Sequence, residues 1–193
     1  MVAGLIKFKN GMTTALNVVL ILAVFCLVSS VVWGVVTRSL GTFVVYISRT
    51  HGWEPWSWLP TGQAPWSEEL ARYLLIWVSL LGGAVAFGTK GHLGVDFFVG
   101  KFHPDVRKIM AVFVHAVVLF FAAAIFIYGG WRVAGDTMRQ TTQTLGVLMK
   151  GHVYMALPIA GVFMVLYTIE NLIETLITPS ADLYEAEATE GVV

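Results

Sequence analysis

Hydrophobic and polar positions divide this chain into four long apolar stretches separated by short polar segments. Residues 10–37, 73–89, 109–131 and 151–169 contain no Asp, Glu, Lys or Arg. A helix rises about 1.5 Å per residue, so about 20 apolar residues cross a ~30 Å hydrocarbon core. Three of the stretches meet that length. The second is shorter and spans when Arg72 snorkels its guanidinium back to the headgroups. The pattern predicts an all-α integral membrane protein with transmembrane helices at 11–37, 69–89, 107–132 and 151–174, forming a single domain over 1–177.

The first stretch would be about 42 Å long as a straight helix, so it should tilt or project beyond the bilayer. Residues 40–47 are apolar again after Arg38, either as a continuation of that helix or as a surface-lying piece. A loop follows in which Trp53, Trp56, Trp58 and Trp66 alternate with Pro55, Pro60 and Pro65. Prolines lack a backbone donor and tryptophans favour the membrane–water boundary, so an interfacial aromatic belt is expected here rather than a ligand-binding cluster.

Ser67, Glu68 and Glu69 open the second helix, where carboxylates complement the positive end of the helix dipole. Both glutamates lie within one turn of Arg72 and can pair with it. Ser79 with Gly83, and Gly82 with Ala86, have the spacing that lets membrane helices approach closely. Segment 91–103 places His92, Asp96 and His103 within about 40° of one another on a helical projection. That pattern suits a short interfacial amphipathic helix with a water-facing polar stripe. A metal site is the rival reading of the same three residues. In the fourth stretch Pro158 cannot donate to the Tyr154 carbonyl, so a kink or local loosening is expected there. The tail, 178–193, is acidic and is expected to be disordered.

Composition supports the membrane assignment. The chain is 57% hydrophobic and 12% charged, with a mean hydropathy of +0.76, outside the range of ordinary soluble domains. Zero net charge gives no reason to expect a nucleic-acid partner. The single cysteine, Cys26, has no intrachain partner and lies within the first apolar stretch. Lys7 and Lys9 resemble the basic start of a signal peptide, but the run after them far exceeds a 7–15-residue apolar core, so a retained helix is expected. Basic residues are nearly balanced between the two faces. The first pair and the dense pair Arg107 and Lys108 share a side, which favours both termini inside.

Candidate chemistry is sparse. A transporter acting alone needs ionisable groups near the midplane, broken helices or paired repeats. Here the charges gather at helix ends, as at Arg72, Arg132, Glu170 and Glu174. Haem between helices would need two histidines at one depth. His115 sits about 10 Å inside one face and His152 about 3 Å inside the other, roughly 17 Å apart in depth. No hydrolase elbow, zinc-protease motif or phosphate-binding loop is present. Neither an enzyme nor a cofactor is expected; a scaffold is.

Segment 65–77 reads Pro-Trp-Ser-Glu-Glu-Leu-Ala-Arg-Tyr-Leu-Leu-Ile-Trp, and after Gly82-Gly83 comes Lys-Gly-His-Leu-Gly-Val-Asp at 90–96. Further on stand Thr-Leu-Gly-Val-Leu-Met at 144–149 and Tyr-Met-Ala-Leu-Pro-Ile-Ala-Gly at 154–161. In order and spacing these resemble the small membrane subunit of the tripartite ATP-independent periplasmic (TRAP) transporters. The likeness runs from about residue 65 to 174. Two features depart from it: a long 51–63 loop, and Lys150-Gly-His152 where the family commonly has an aromatic residue.

The resemblance implies a bacterial inner-membrane complex. Its large multi-span permease would carry the substrate and sodium sites and move like an elevator. A periplasmic binding protein would deliver the solute, usually an organic acid. The small subunit would pack against the large one and anchor its static part. On that analogy Glu69 and Arg72 would fix the outer end of the second helix or hold a lipid headgroup. His92 and Asp96 would cap and orient the surface segment, and Pro158 would shape the fourth helix where it meets its partner. The alternative is a four-helix membrane adaptor unconnected with transport.

Overall fold

The computed structural model describes residues 2–52, 64–88, 104–146 and 148–177. The expected interfacial segment 91–103, most of the Trp-rich loop and the acidic tail fall outside these residues. Among the described residues every regular element is helical, and four helices are long and apolar enough to cross a membrane.

Helix α1 (Val2–His51) runs without a break through Arg38 and residues 40–47. Its 50 residues extend about 75 Å, more than twice a ~30 Å hydrocarbon core. Several of its threonine hydroxyls are satisfied within the helix, on carbonyls one turn back. Thr37 donates to Trp33 O at 2.9 Å, Thr42 to Arg38 O at 2.9 Å and Thr50 to Tyr46 O at 2.7 Å. Gly52, at φ 63°, ends the helix in the left-handed conformation that glycine adopts without a Cβ penalty.

Helix α2 (Pro65–Gly88) begins on a proline, which fits a first turn because that N–H has no helical partner anyway. The third span joins α3 (Pro104–Phe121), a π-helical stretch (Ala122–Gly129) and α4 (Gly130–Thr137). Phe121 and Gly130 at the two joints keep right-handed helical dihedrals, so the helix widens without breaking. The wider turn brings the Phe121 and Phe126 rings to one side, with centroids 5.6 Å apart.

The fourth span joins α5 (Lys150–Tyr154) to α6 (Ala156–Ile177). Regular helix lapses at Met155, beside the Tyr154 carbonyl that Pro158 cannot serve. The chain thus passes back and forth four times. The start of α1, the end of α2, the start of α3 and the end of α6 meet at one end, here the N-side. The start of α2, the end of α4, the 138–149 loop and α5 meet at the far side.

α2 packs against both α1 and α6, and α6 also packs against the third span. The fourth span is the most buried of the four, and the first and third are the least. The core cluster is Leu16, Leu81, Ala84, Val85, Ala160 and Tyr167. Close approach depends on glycines other than the expected pairs. A Cβ at Gly88 would lie 2.5 Å from the Tyr167 ring, one at Gly130 2.8 Å from Leu157, and one at Gly161 2.7 Å from Phe126. Gly82 and Gly83, by contrast, have nothing within 4 Å. α2 buries its Leu81, Ala84, Val85 and Gly88 face, which turns Ser79, Gly83 and Ala86 outward.

Candidate functional site

At the far side the Glu69 carboxylate joins α2 to the loop between the third and fourth spans. Its Oε1 accepts the Tyr73 hydroxyl at 2.6 Å and the Gln143 N–H at 3.0 Å. Its Oε2 accepts the Thr144 N–H at 2.8 Å, the Thr144 hydroxyl at 2.6 Å and the Leu145 N–H at 3.3 Å. Three successive backbone amides form an anion-binding concavity, and Glu69 fills it from within the same chain. An ionised carboxylate is an acceptor only, which matches a ring made entirely of donors.

The loop is shaped to make this possible. Thr142 N–H donates to Leu148 O at 3.1 Å and Lys150 N–H to Gln140 O at 2.9 Å, closing the loop into a narrow hairpin. Gly146, at φ 48°, makes its turn. Thr142 Oγ1 is buried there with no hydrogen-bond partner among the described residues.

Beside this clamp Ser30 of α1 donates to Ser67 O of α2 at 2.7 Å, a buried contact that ties the first two helices together. Arg72 is exposed and lines the groove between α1 and α2 along with Arg38 and Glu68. Glu69 therefore reaches to the loop, whereas Arg72 lines the groove. Pro158 is buried in α6, where its ring would lie 2.9 Å from a Cβ at Gly130. His92 and Asp96 lie outside the described residues.

Sequence reasoning did not single out the polar contacts of the N-side. Thr13 Oγ1 and the fully buried Tyr167 hydroxyl share a hydrogen bond of 2.9 Å, and Lys9 Nζ donates to Asn171 Oδ1 at 2.9 Å. Lys108 Nζ donates to Leu176 O at 3.2 Å. Each contact joins residues far apart in the chain, so no local spacing marks them. From Glu69 to Gly88 the axis of α2 rises about 28 Å, close to one hydrocarbon thickness. The interhelical hydrogen bonds described here thus lie at the two boundaries of the bilayer.

The described residues contain no group of His, Cys, Asp and Glu able to hold a metal ion. His115 lies within α3, while His152 is exposed at the start of α5. The arrangement defines a class: a multi-pass helical membrane protein held together at its ends, with broad apolar faces left uncovered.

Comparison with known proteins supplies the family. Residues 58–178 match the family described as tripartite ATP-independent periplasmic transporters, DctQ component. The chain is 32% identical over 138 residues to the sialic acid TRAP transporter small permease protein SiaQ of Vibrio cholerae, covering 69% of this chain and 79% of that one. It is also 32% identical over 99 residues to the sialic acid TRAP transporter permease protein SiaT of Haemophilus influenzae, covering 51% of this chain and 16% of that one. The chain belongs to the DctQ-component family, the small membrane subunits of TRAP transporters.

Proposed function

We propose that this small subunit packs against a large permease and anchors its static part, while the large subunit carries the solute. The observation that carries this is the distribution of polarity. The interhelical hydrogen bonds described above lie near the two ends of α2, about one hydrocarbon thickness apart, whereas the membrane-depth surfaces of α1 and the third span are apolar and open. Phe25 and Ile21 on α1 are 69% and 68% exposed, and Phe113 and Phe120 on α3 are 63% and 75% exposed. Such faces suit helix–helix packing or lipid, not a route for a polar solute.

The Haemophilus influenzae relative adds support. The segment it shares with this chain forms 16% of a much longer permease chain, so the two parts are one polypeptide there. Both relatives are named for sialic acid, an acidic sugar, which favours an organic acid as the solute. Import would draw on a sodium gradient acting on the large subunit, and a periplasmic binding protein would deliver the solute. With both termini inside, the far side and the projecting end of α1 face that protein. Pro158 shapes α6 against the third span, and His92 and Asp96 orient the segment between α2 and α3.

Transport by the reconstituted complex tests this role. Arg72→Ala is expected to lower complex yield or uptake rate while leaving the order of preference among solutes unchanged. A changed preference would place part of the solute site in this subunit and contradict the scaffold role.

A further inference from the structure

At the far side, α1 and α2 enclose a groove of about 280 Å³ lined by Val31, Val35, Arg38, Glu68, Ala71 and Arg72. Arg38 is the first charged residue after the apolar run of α1, and Arg72 the last before that of α2. Because both line one groove, both guanidinium groups stand at the level where hydrocarbon gives way to headgroups. Both arginines are exposed.

We propose that this groove is a phospholipid site, in which Arg38 and Arg72 hold the headgroup phosphate and Glu68 receives the ammonium of an aminophospholipid. Guanidinium forks match phosphate oxygens in two-point geometry, and two of them converge here from different helices. Glu68 on the same wall disfavours a ligand that is only anionic. Its carboxylate has several acceptor positions and serves an ammonium donor alongside contacts within the protein. A headgroup carrying both charges complements all three side chains.

The lower part of the groove is apolar, and the surface continues toward mid-membrane through Val28, Val35 and Leu75, exposed by 51%, 59% and 55%. That strip accommodates an acyl chain, which distinguishes a lipid from free phosphate or a soluble phosphoester. The assignment rests on the four-span membrane placement and not on the transport role, so either can fail without the other.

Native mass spectrometry of the full chain, stripped of lipid in mild detergent, tests the site. The probes are dioleoyl-phosphatidylethanolamine, dioleoyl-phosphatidylglycerol and glycerophosphoethanolamine. One phosphatidylethanolamine is expected to bind per chain, about tenfold tighter than phosphatidylglycerol, the discrimination of one charge-assisted contact. Glycerophosphoethanolamine should not displace it. Arg38→Ala with Arg72→Ala should weaken that binding by about tenfold or more. Glu68→Gln should remove the preference between the two lipids while binding persists. It keeps both arginines, and so decides the matter even where the double variant does not fold. A folded double variant that binds as wild type does, displacement by glycerophosphoethanolamine, or a lipid preference unchanged in Glu68→Gln would each overturn the proposal.

Discussion

Glu69 makes five hydrogen bonds, four of them to the 143–145 loop, so one side chain holds two otherwise separate parts of the far side together. Glu69→Gln would turn an amide donor toward groups that are themselves donors. Amide hydrogen exchange at residues 143–145 is expected to speed up by at least about tenfold in this variant, while α6 stays protected. Unchanged exchange at those amides would show that the loop holds its shape without the clamp. The Glu-Glu-x-x-Arg segment marked Glu69 as a candidate, but its partners in the structure were not legible. Spacing pointed to Arg72 within one turn of helix, whereas most of the donors are backbone amides, which any residue supplies. Tyr73 lies one turn away but was not singled out as a partner. On the N-side, Tyr167→Phe removes the bond to Thr13 and should cost about 0.5–1.5 kcal/mol. Gly88→Ala must displace the Tyr167 ring and should cost about 1–3 kcal/mol, and denaturant titration in mixed micelles compares the two.

Among the elements, the spans were legible because uncharged runs of bilayer length have few alternative uses. The continuation of α1 past Arg38 was left open, since one arginine neither stops a helix nor requires its extension. No proline stands before Pro55 to break it, and the threonine hydroxyls are satisfied on carbonyls one turn back. The π-helical stretch was not legible at all. Its sequence, Ala-Ala-Ala-Ile-Phe-Ile-Tyr-Gly, suits an ordinary α-helix, and the wider turn becomes apparent only where Gly161 seats Phe126 and Ile127. Small residues are informative only when their face is known. Gly161→Val should destabilise the isolated chain by about 1–3 kcal/mol by forcing the third and fourth spans apart. Gly83→Ala, which meets nothing within 4 Å, should stay within about 0.5 kcal/mol of wild type. Thermal unfolding in detergent separates the two, and equal losses would show that α2 packs through its outward face as well.

At the scale of the whole molecule, the four spans bury little apolar surface against one another relative to what they expose. The fourth forms the centre, and the first and third present open membrane-depth faces. Such faces meet lipid or a companion subunit, and the packing against a large permease proposed above would cover part of them. Orientation follows from the proposed inside placement of both termini. In a Cys26→Ser background, a cysteine at Arg49 should react with a membrane-impermeant thiol reagent added outside intact cells, and one at Lys7 should not. The most direct measurement is affinity purification of the tagged chain, in mild detergent, from its native membrane. A large multi-span permease recovered in stoichiometric amount is the expected result. Recovery of this chain alone, with the permease present but separate in the same extract under conditions that keep other membrane complexes intact, would contradict its role as a packed subunit.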